Sequence, residues 1–276
     1  MVVGITWKYV FNERDRFLRV GFHDCAKEFS LKNSCGVYAL MRWFLDLGGW
    51  PRGMVEGKVC VALVSGGIDS PVAVARMLRE GWMVHPVHCS QEPITGPEAE
   101  QKTIDSLRHI LEMEGPIGES ARINLSRQLT VVPVAQQLSL FTEKWCHTEY
   151  FIHMKRLYCG LGDVVGRRTG ATHLLTGENL GQVSSQTLGN LGAIEMMTSL
   201  QVLRPLLGFD KTTIMHMAQS MGTYDLSLGP EVCDALGPSL PTTVANLEWL
   251  EKSEERVGGF QNLLETAWKN RRIVQL

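Results

Sequence analysis

Apolar residues change their spacing repeatedly along the chain, and the changes mark out its elements. Residues 59–64 (Val-Cys-Val-Ala-Leu-Val) form an unbroken apolar, β-branched run, which predicts a strand buried on both faces of a parallel sheet. From 70 to 80 the apolar positions Val72, Val74, Ala75 and Leu78 fall near helical spacing, and Gly81 stands where a helix stops. Residues 82–88 predict a second strand, giving a strand–loop–helix–strand unit with parallel strands. The alternation continues with a helix over 98–113, a strand over 129–134, a long helix over 147–168 and a short strand over 173–176. After Leu203 come a short helix over 211–221, a Gly/Pro/Ser/Thr-rich loop over 223–243, and a closing helical stretch over 249–274 broken at Gly258-Gly259. This density of alternating β and α predicts a doubly wound α/β parallel sheet.

A dense turn signal, Leu47-Gly48-Gly49-Trp50-Pro51, separates a short N-terminal segment, 1–47, from the main domain, 48–276. The first ten residues lack the pattern of a signal peptide and no apolar run reaches the ~20 residues of a membrane span, so a cytoplasmic chain without membrane partners is expected. Its seven cysteines include no Cys-x-x-Cys pair and predict neither a zinc ribbon nor a thioredoxin-type site. Net charge is −2, which is no footprint for gripping nucleic acid by its phosphates; basic surface must be local, with Arg156, Arg167, Arg168, Lys269, Arg271 and Arg272 as candidates.

The chemistry lies at strand ends. In Ser65-Gly66-Gly67-Ile68-Asp69-Ser70 two glycines let the backbone pass close to an anion, two hydroxyls add donors, and the next helix points its N-terminus at the same place. This phosphate cradle is neither a Walker A loop nor a dinucleotide fingerprint. Asp69 adds negative charge to it, which calls for Mg2+ as a bridge or direct catalysis, or else is a carboxylate favouring the helix dipole.

The run 63–73 resembles the ThiI family of tRNA 4-thiouridine synthetases, as do residues 175–188 (Leu-Thr-Gly-Glu-Asn-Leu-Gly-Gln-Val-Ser-Ser-Gln-Thr-Leu) and 203–211 (Leu-Arg-Pro-Leu-Leu-Gly-Phe-Asp-Lys) followed by Met221-Gly222-Thr223. The three signatures, in order, span roughly 48–245. The resemblance implies a PP-loop ATP-pyrophosphatase fold, of the adenine nucleotide alpha hydrolase-like type. It also implies an enzyme that uses ATP to adenylate a tRNA uridine, releases pyrophosphate, and then lets sulfur displace AMP. Position by position it implies nucleotide contacts at Leu63, Val64, Ser65, Gly66, Gly67, Ser70, His88, Cys89, Gly177 and Gln186, and catalytic roles for Asp69, Lys155 and Cys233. Read alone, Lys155 is equally a surface lysine, His88 a core histidine, and Cys233 a loop cysteine with packing duty only.

The resemblance has gaps. Residues 1–47 are too few for the family's THUMP RNA-binding domain, and no C-terminal rhodanese domain follows, so either another chain supplies tRNA binding or the acceptor is different. The Cys-x-x-Cys that holds an iron–sulfur cluster in one branch reads Phe151 and Met154 here, leaving the sulfur donor, a protein or free sulfide, open. Cys233 and residues 175–188 favour tRNA thiolation; the charge balance and missing RNA domain favour the same ATP chemistry on another acceptor, with a non-catalytic nucleotide-binding module as a third reading.

Overall fold

The computed structural model describes residues 58–229 and 235–276. The short N-terminal segment and Cys233 lie outside the described residues. Strand β1 (Val59–Leu63) leads through the glycine-rich loop into α1 (Asp69–Arg79) and returns as β2 (Met83–Ser90); α2 (Glu98–Glu112), α3 (Gly115–Asn124) and β3 (Gln128–Pro133) follow. The chain then runs through α4 (Ala135–Ser139) and α5 (Tyr150–Thr169) to β4 (His173–Leu175), and through α6 (Leu188–Glu195) to β5 (Gln201–Leu203). After α7 (Lys211–Ser220) and α8 (Tyr224–Ser227), it closes with α9 (Leu247–Arg256), α10 (Phe260–Lys269) and β6 (Arg272–Gln275).

The sheet order is β5-β4-β1-β2-β3-β6, with five parallel strands and β6 antiparallel to β3. The expected doubly wound α/β sheet is therefore present. The central strand is apolar on both faces because both are covered: Val61 packs with Val87, Leu157 and Leu161 on one side, Cys60 and Ala62 with Val72, Leu78 and Leu107 on the other.

Some expectations change. The closing stretch is two helices and then a strand: Gly258 and Gly259, both with positive φ, end α9 and admit the turn into α10, and the β-branched Ile273-Val274 pair with Thr130 and Leu129. The long helix starts at Tyr150, after a 3-10 turn over His147–Glu149. The loop expected over 223–243 holds α8, and α3, α6 and β5 are additional elements.

A buried ion pair fixes α9 to α5. Arg156 Nε donates to Glu254 Oε1 at 2.6 Å and Nη2 to Oε2 at 3.0 Å, while Nη1 reaches Ala193 O on α6. Burial pulls the Glu254 carboxyl upward, but the bonds from His153 and Arg156 outweigh it and hold it below the ordinary glutamate value. A lowered carboxylate contributes stability that is fully present above the unfolded value, about 4.3, and is lost as pH falls through the folded one. Glu254→Gln is expected to lower stability at neutral pH by about 3 kcal/mol and to flatten the acid limb of the pH–stability curve, measured by urea unfolding.

Candidate nucleotide site

The chain builds β1, β2 and β3 outward in one direction, then crosses back to lay β4 and β5 on the other side of β1. The carboxyl ends of β1 and β4 thus flank the switch point, where an open α/β sheet forms its ligand crevice. Two of the three signatures begin there: the loop 64–68 leaves β1, and Thr176-Gly177-Glu178 leaves β4.

Hydrogen bonds across the first loop set its shape. Ser65 N donates to Ser70 Oγ at 2.9 Å, the Ser70 hydroxyl donates back to Ser65 O at 3.0 Å, and Gly67 N reaches Ser65 Oγ at 3.3 Å. No side chain caps the start of α1, so its first N–H groups stay available to an anion. Leu63 is half-buried at the end of β1, and Val64 is buried with its carbonyl accepting from His88 Nδ1 at 3.0 Å. Burial lowers the pKa of His88, against the bond to Val64, which favours a neutral imidazole. Its place is therefore a positioning one: it ties the end of β2 to the entrance of the loop, with Thr103 Oγ1 3.2 Å from the same nitrogen.

The glycines are needed for packing as well as for approach to a ligand. A Cβ on Gly66 would lie 2.7 Å from Ala99 O on α2, and one on Gly177 would lie 2.9 Å from Ser70 N and 3.0 Å from Asp69 C. The second signature is thus pressed directly against the start of α1.

Two carboxylate–lysine pairs stand around this point. Lys211 Nζ, at the start of α7, donates to Asp69 Oδ1 at 2.9 Å and Oδ2 at 3.2 Å. The Asp69 charge that looked out of place in an anion cradle is thus met by a cation 142 residues away. Lys211 stands in the third signature, where sequence reasoning gives it no role; an Asp-Lys pair opening a helix beside a Gly-Phe turn is its only local signal. Lys155 Nζ donates to Glu178 Oε1 at 3.0 Å, and Glu178 Oε2 accepts from Arg204 Nε at 2.9 Å and Thr176 Oγ1 at 3.1 Å. Burial raises the Glu178 carboxyl, but Lys155 and Arg204 overcome it and keep it below its ordinary range. Sequence reasoning assigns no role to Glu178 or Arg204 either.

Gln186 makes its backbone bonds within its own loop, Gly181 N donating to its carbonyl, and its buried Oε1 has no partner among the described residues. The thiols are the reverse of reactive: burial pushes Cys60 and Cys159 up to about 12 and Cys146 to about 11, and raises Cys89 further, with Cys159 as a second cause. Among the described residues no three His, Cys, Asp or Glu side chains converge to hold a metal. No helix there is long and apolar enough to cross a membrane.

Gly177→Ala tests the contact between the two loops. The added methyl meets only backbone, so the start of α1 must shift; affinity for ATP by calorimetry is expected to fall at least about tenfold, with the far-ultraviolet circular dichroism unchanged.

Comparison with known proteins extends the picture. Residues 54–258 match the ThiI family model, described as thiamine biosynthesis protein. The probable tRNA sulfurtransferase of Bacillus licheniformis is 34% identical over 242 residues, covering 87% of this chain and 57% of that protein. The Thermotoga maritima protein of the same name is 38% identical over 229 residues, covering 82% of this chain and 56% of that protein. A solved structure described as a 4-thiouridine synthetase–RNA complex with bound ATP superposes with a TM-score of 0.71 at 34% identity, over 79% of this chain and 55% of that one. The chain thus spans just over half the length of these relatives. With most of its length inside the family model and all three signatures in order, the chain belongs to the ThiI family.

Proposed function

We propose that this chain carries the ATP-dependent catalytic domain of a tRNA sulfurtransferase, adenylating a tRNA uridine and exchanging the adenylated oxygen for sulfur to give 4-thiouridine. The observation that carries this reading is the convergence, at one switch point, of the 65–70 loop, the Asp69–Lys211 pair and the Glu178–Lys155 pair. It is the apparatus for binding a triphosphate and stabilising a departing pyrophosphate. The related solved structure is a complex with RNA and bound ATP, and the relatives are probable tRNA sulfurtransferases; both support the choice of substrates.

In the first half-reaction the uracil O4 attacks the α-phosphorus of ATP and the bond from that phosphorus to the bridging oxygen breaks, releasing pyrophosphate. The open N–H groups at the start of α1 and the ammonium groups of Lys155 and Lys211 offset the charge that grows on the leaving group. Mg2+ fits as an ion brought by the nucleotide: Asp69 offers one carboxylate, and the phosphates and water would complete the sphere, as magnesium prefers. Leu63, Val64, Gly177 and Gln186 line the nucleoside, while His88 and Cys89 support the end of β2 from inside the fold. In the second half-reaction a sulfur nucleophile adds to C4 and the C4–O bond to AMP breaks; hydrosulfide does this with no redox change, whereas a Cys233 persulfide leaves a C4–S–S–Cys233 link that a second thiol, brought with the donor, cleaves as it is oxidised to a disulfide. Among the described residues the thiols of Cys60, Cys89, Cys146 and Cys159 stay protonated near neutral pH; Cys25, Cys35 and Cys233 lie outside those residues, and of these the family resemblance selects Cys233 as the sulfur-handling residue.

The net charge of −2 favours a second reading, the same ATP chemistry on another acceptor, unless RNA is held by a further domain or a separate partner. Mass spectrometry of tRNA nucleosides from cells with and without the gene separates the two: loss of 4-thiouridine supports the first, an unchanged nucleoside profile removes it.

Asp69→Ala is expected to slow pyrophosphate release at least about tenfold, about 1.4 kcal/mol of lost transition-state stabilisation. Native turnover in that variant takes Asp69 out of the mechanism. Cys233→Ser is expected to keep adenylation and lose thiolated product, because a hydroxyl cannot store sulfane sulfur. Thiolation at the native rate by that variant with the physiological donor makes Cys233 a structural residue and points to free sulfide as the attacking species; loss of adenylation itself means that its loop helps to build the nucleotide site.

A further inference from the structure

We infer that Glu178 is the positioning residue that aims Lys155 at the nucleotide, and that it does so in register with the phosphate loop. The inference rests on the nucleotide-binding reading above and assigns a role inside it.

The two oxygens of Glu178 are used differently. Oε2 accepts from Thr176 Oγ1 in its own loop and from Arg204 Nε beyond β5, so it is held by two parts of the scaffold. Oε1 accepts from Lys155 Nζ at 3.0 Å. Arg204 is itself braced, its Nη1 donating to Glu195 Oε2 at 2.8 Å. Charges therefore alternate along Lys155, Glu178, Arg204 and Glu195, from α5 to α6, and the carboxylate at the centre is nine-tenths buried. A carboxylate with one oxygen bonded to two scaffold donors has little freedom to turn, and the ammonium held by its other oxygen inherits that rigidity.

Lys155 needs such a hold. Its four-carbon stem allows many rotamers, and its ammonium has three N–H groups. One goes to Glu178; among the described residues the other two have no partner, and the side chain keeps 19% of its surface exposed. Glu178 thus fixes the direction of the stem and leaves donors for a phosphate.

The register comes from Gly177. A Cβ added there would lie within 3.0 Å of the backbone of Asp69 and Ser70, and Glu178 is the next residue. Any displacement of the start of α1 is passed through one peptide to the carboxylate and so to the ammonium. Lys155, on a helix distant in sequence, is thereby located relative to the loop that grips the phosphates.

The test is a double-mutant cycle on ATP binding and on pyrophosphate release, using the full chain. Glu178→Gln keeps the shape but removes the charge and puts donors against donors. Expected is at least about a tenfold loss of ATP affinity or of kcat/KM in the native background, and less than about twofold in the Lys155→Met background. Glu178→Asp should regain part of the loss only while Lys155 is present. A loss of the same size in both backgrounds would mean that Glu178 supports the fold and does not act through Lys155, and no loss in the native background would mean that it does not position Lys155 at all. Thermal unfolding without nucleotide checks that each variant is folded; if Glu178→Gln is not, because Arg204 is left with a neutral partner, the cycle is run with Glu178→Asp and the same comparison decides. Calorimetry needs neither acceptor nor sulfur donor, so native protein that binds no ATP removes the nucleotide-binding reading itself, whereas native binding with additive losses removes only the role of Glu178.

Discussion

The parallel pairing of β1 with β4, Cys60 to His173 through Ala62 to Leu175, is the constraint on which the site depends. These strands are more than a hundred residues apart in the chain, yet their ends lie side by side because the chain reverses its direction of sheet building between them. The loops that leave them must then share one space. They share it closely enough that Gly177 has no room for a methyl, and this contact makes two signatures a single object. Helix α5, which fills the return path from β3 to β4, brings Lys155 to the same point.

The two lysines around that point are held in physically different ways. Lys211 and Asp69 meet with much of their surface in water, where an ion pair contributes on the order of 0–1 kcal/mol and partners exchange at little cost. Glu178 is buried between Lys155 and Arg204, where breaking the pair strands a charge in a medium that solvates it poorly. The exposed pair is suited to open when a polyanion or a metal-bound phosphate arrives, since Asp69 and Lys211 then find new partners of opposite sign. The buried pair is suited to remain. In the proposed site, one cation is free to change partners and the other is already in place.

What could be read in the sequence follows from the range over which each feature is written. The buried strand 59–64, the glycine-rich loop and the alternation of β and α are local patterns, and Leu63, Val64, His88, Cys89 and Gly177 lie at or just beyond strand ends, with Lys155 on the long helix and Gln186 in a 3-10 turn. Strand β6 escaped because it has four residues and its partner, β3, lies some 140 positions earlier; continuing the helix over Arg272-Ile273-Val274 ignored the β-branched pair that was its one local sign. The Asp69–Lys211 pair had no local sign in the cradle at all, since it joins residues 142 apart. His88 sits where the resemblance implied, but its side chain is turned inward to Val64 and Thr103, which no pattern of residue types distinguishes from a side chain turned to a ligand. The roles given to these residues are tied to the proposed reaction, while their positions come from the fold.

The residues on either side of 230–234 are bonded to the elements around the same switch point. Before that segment, α8 places Ser227 Oγ 3.5 Å from Gly67 O, against the phosphate loop. After it, His147 Nε2 donates to Leu236 O at 2.7 Å, and Thr242 N donates to Thr148 O, both just ahead of the helix that carries Lys155. Further on, fully buried Asn190 donates to Ser184 O and Thr242 O and accepts from Ala245 N, so the return of the chain is bonded to the second signature. Each anchor is a side chain–backbone bond or a short backbone bridge between described residues. The flanks on both sides are thus bonded to elements that surround the switch point, while the thiols of Cys60 on β1 and Cys159 on α5 are kept protonated by burial.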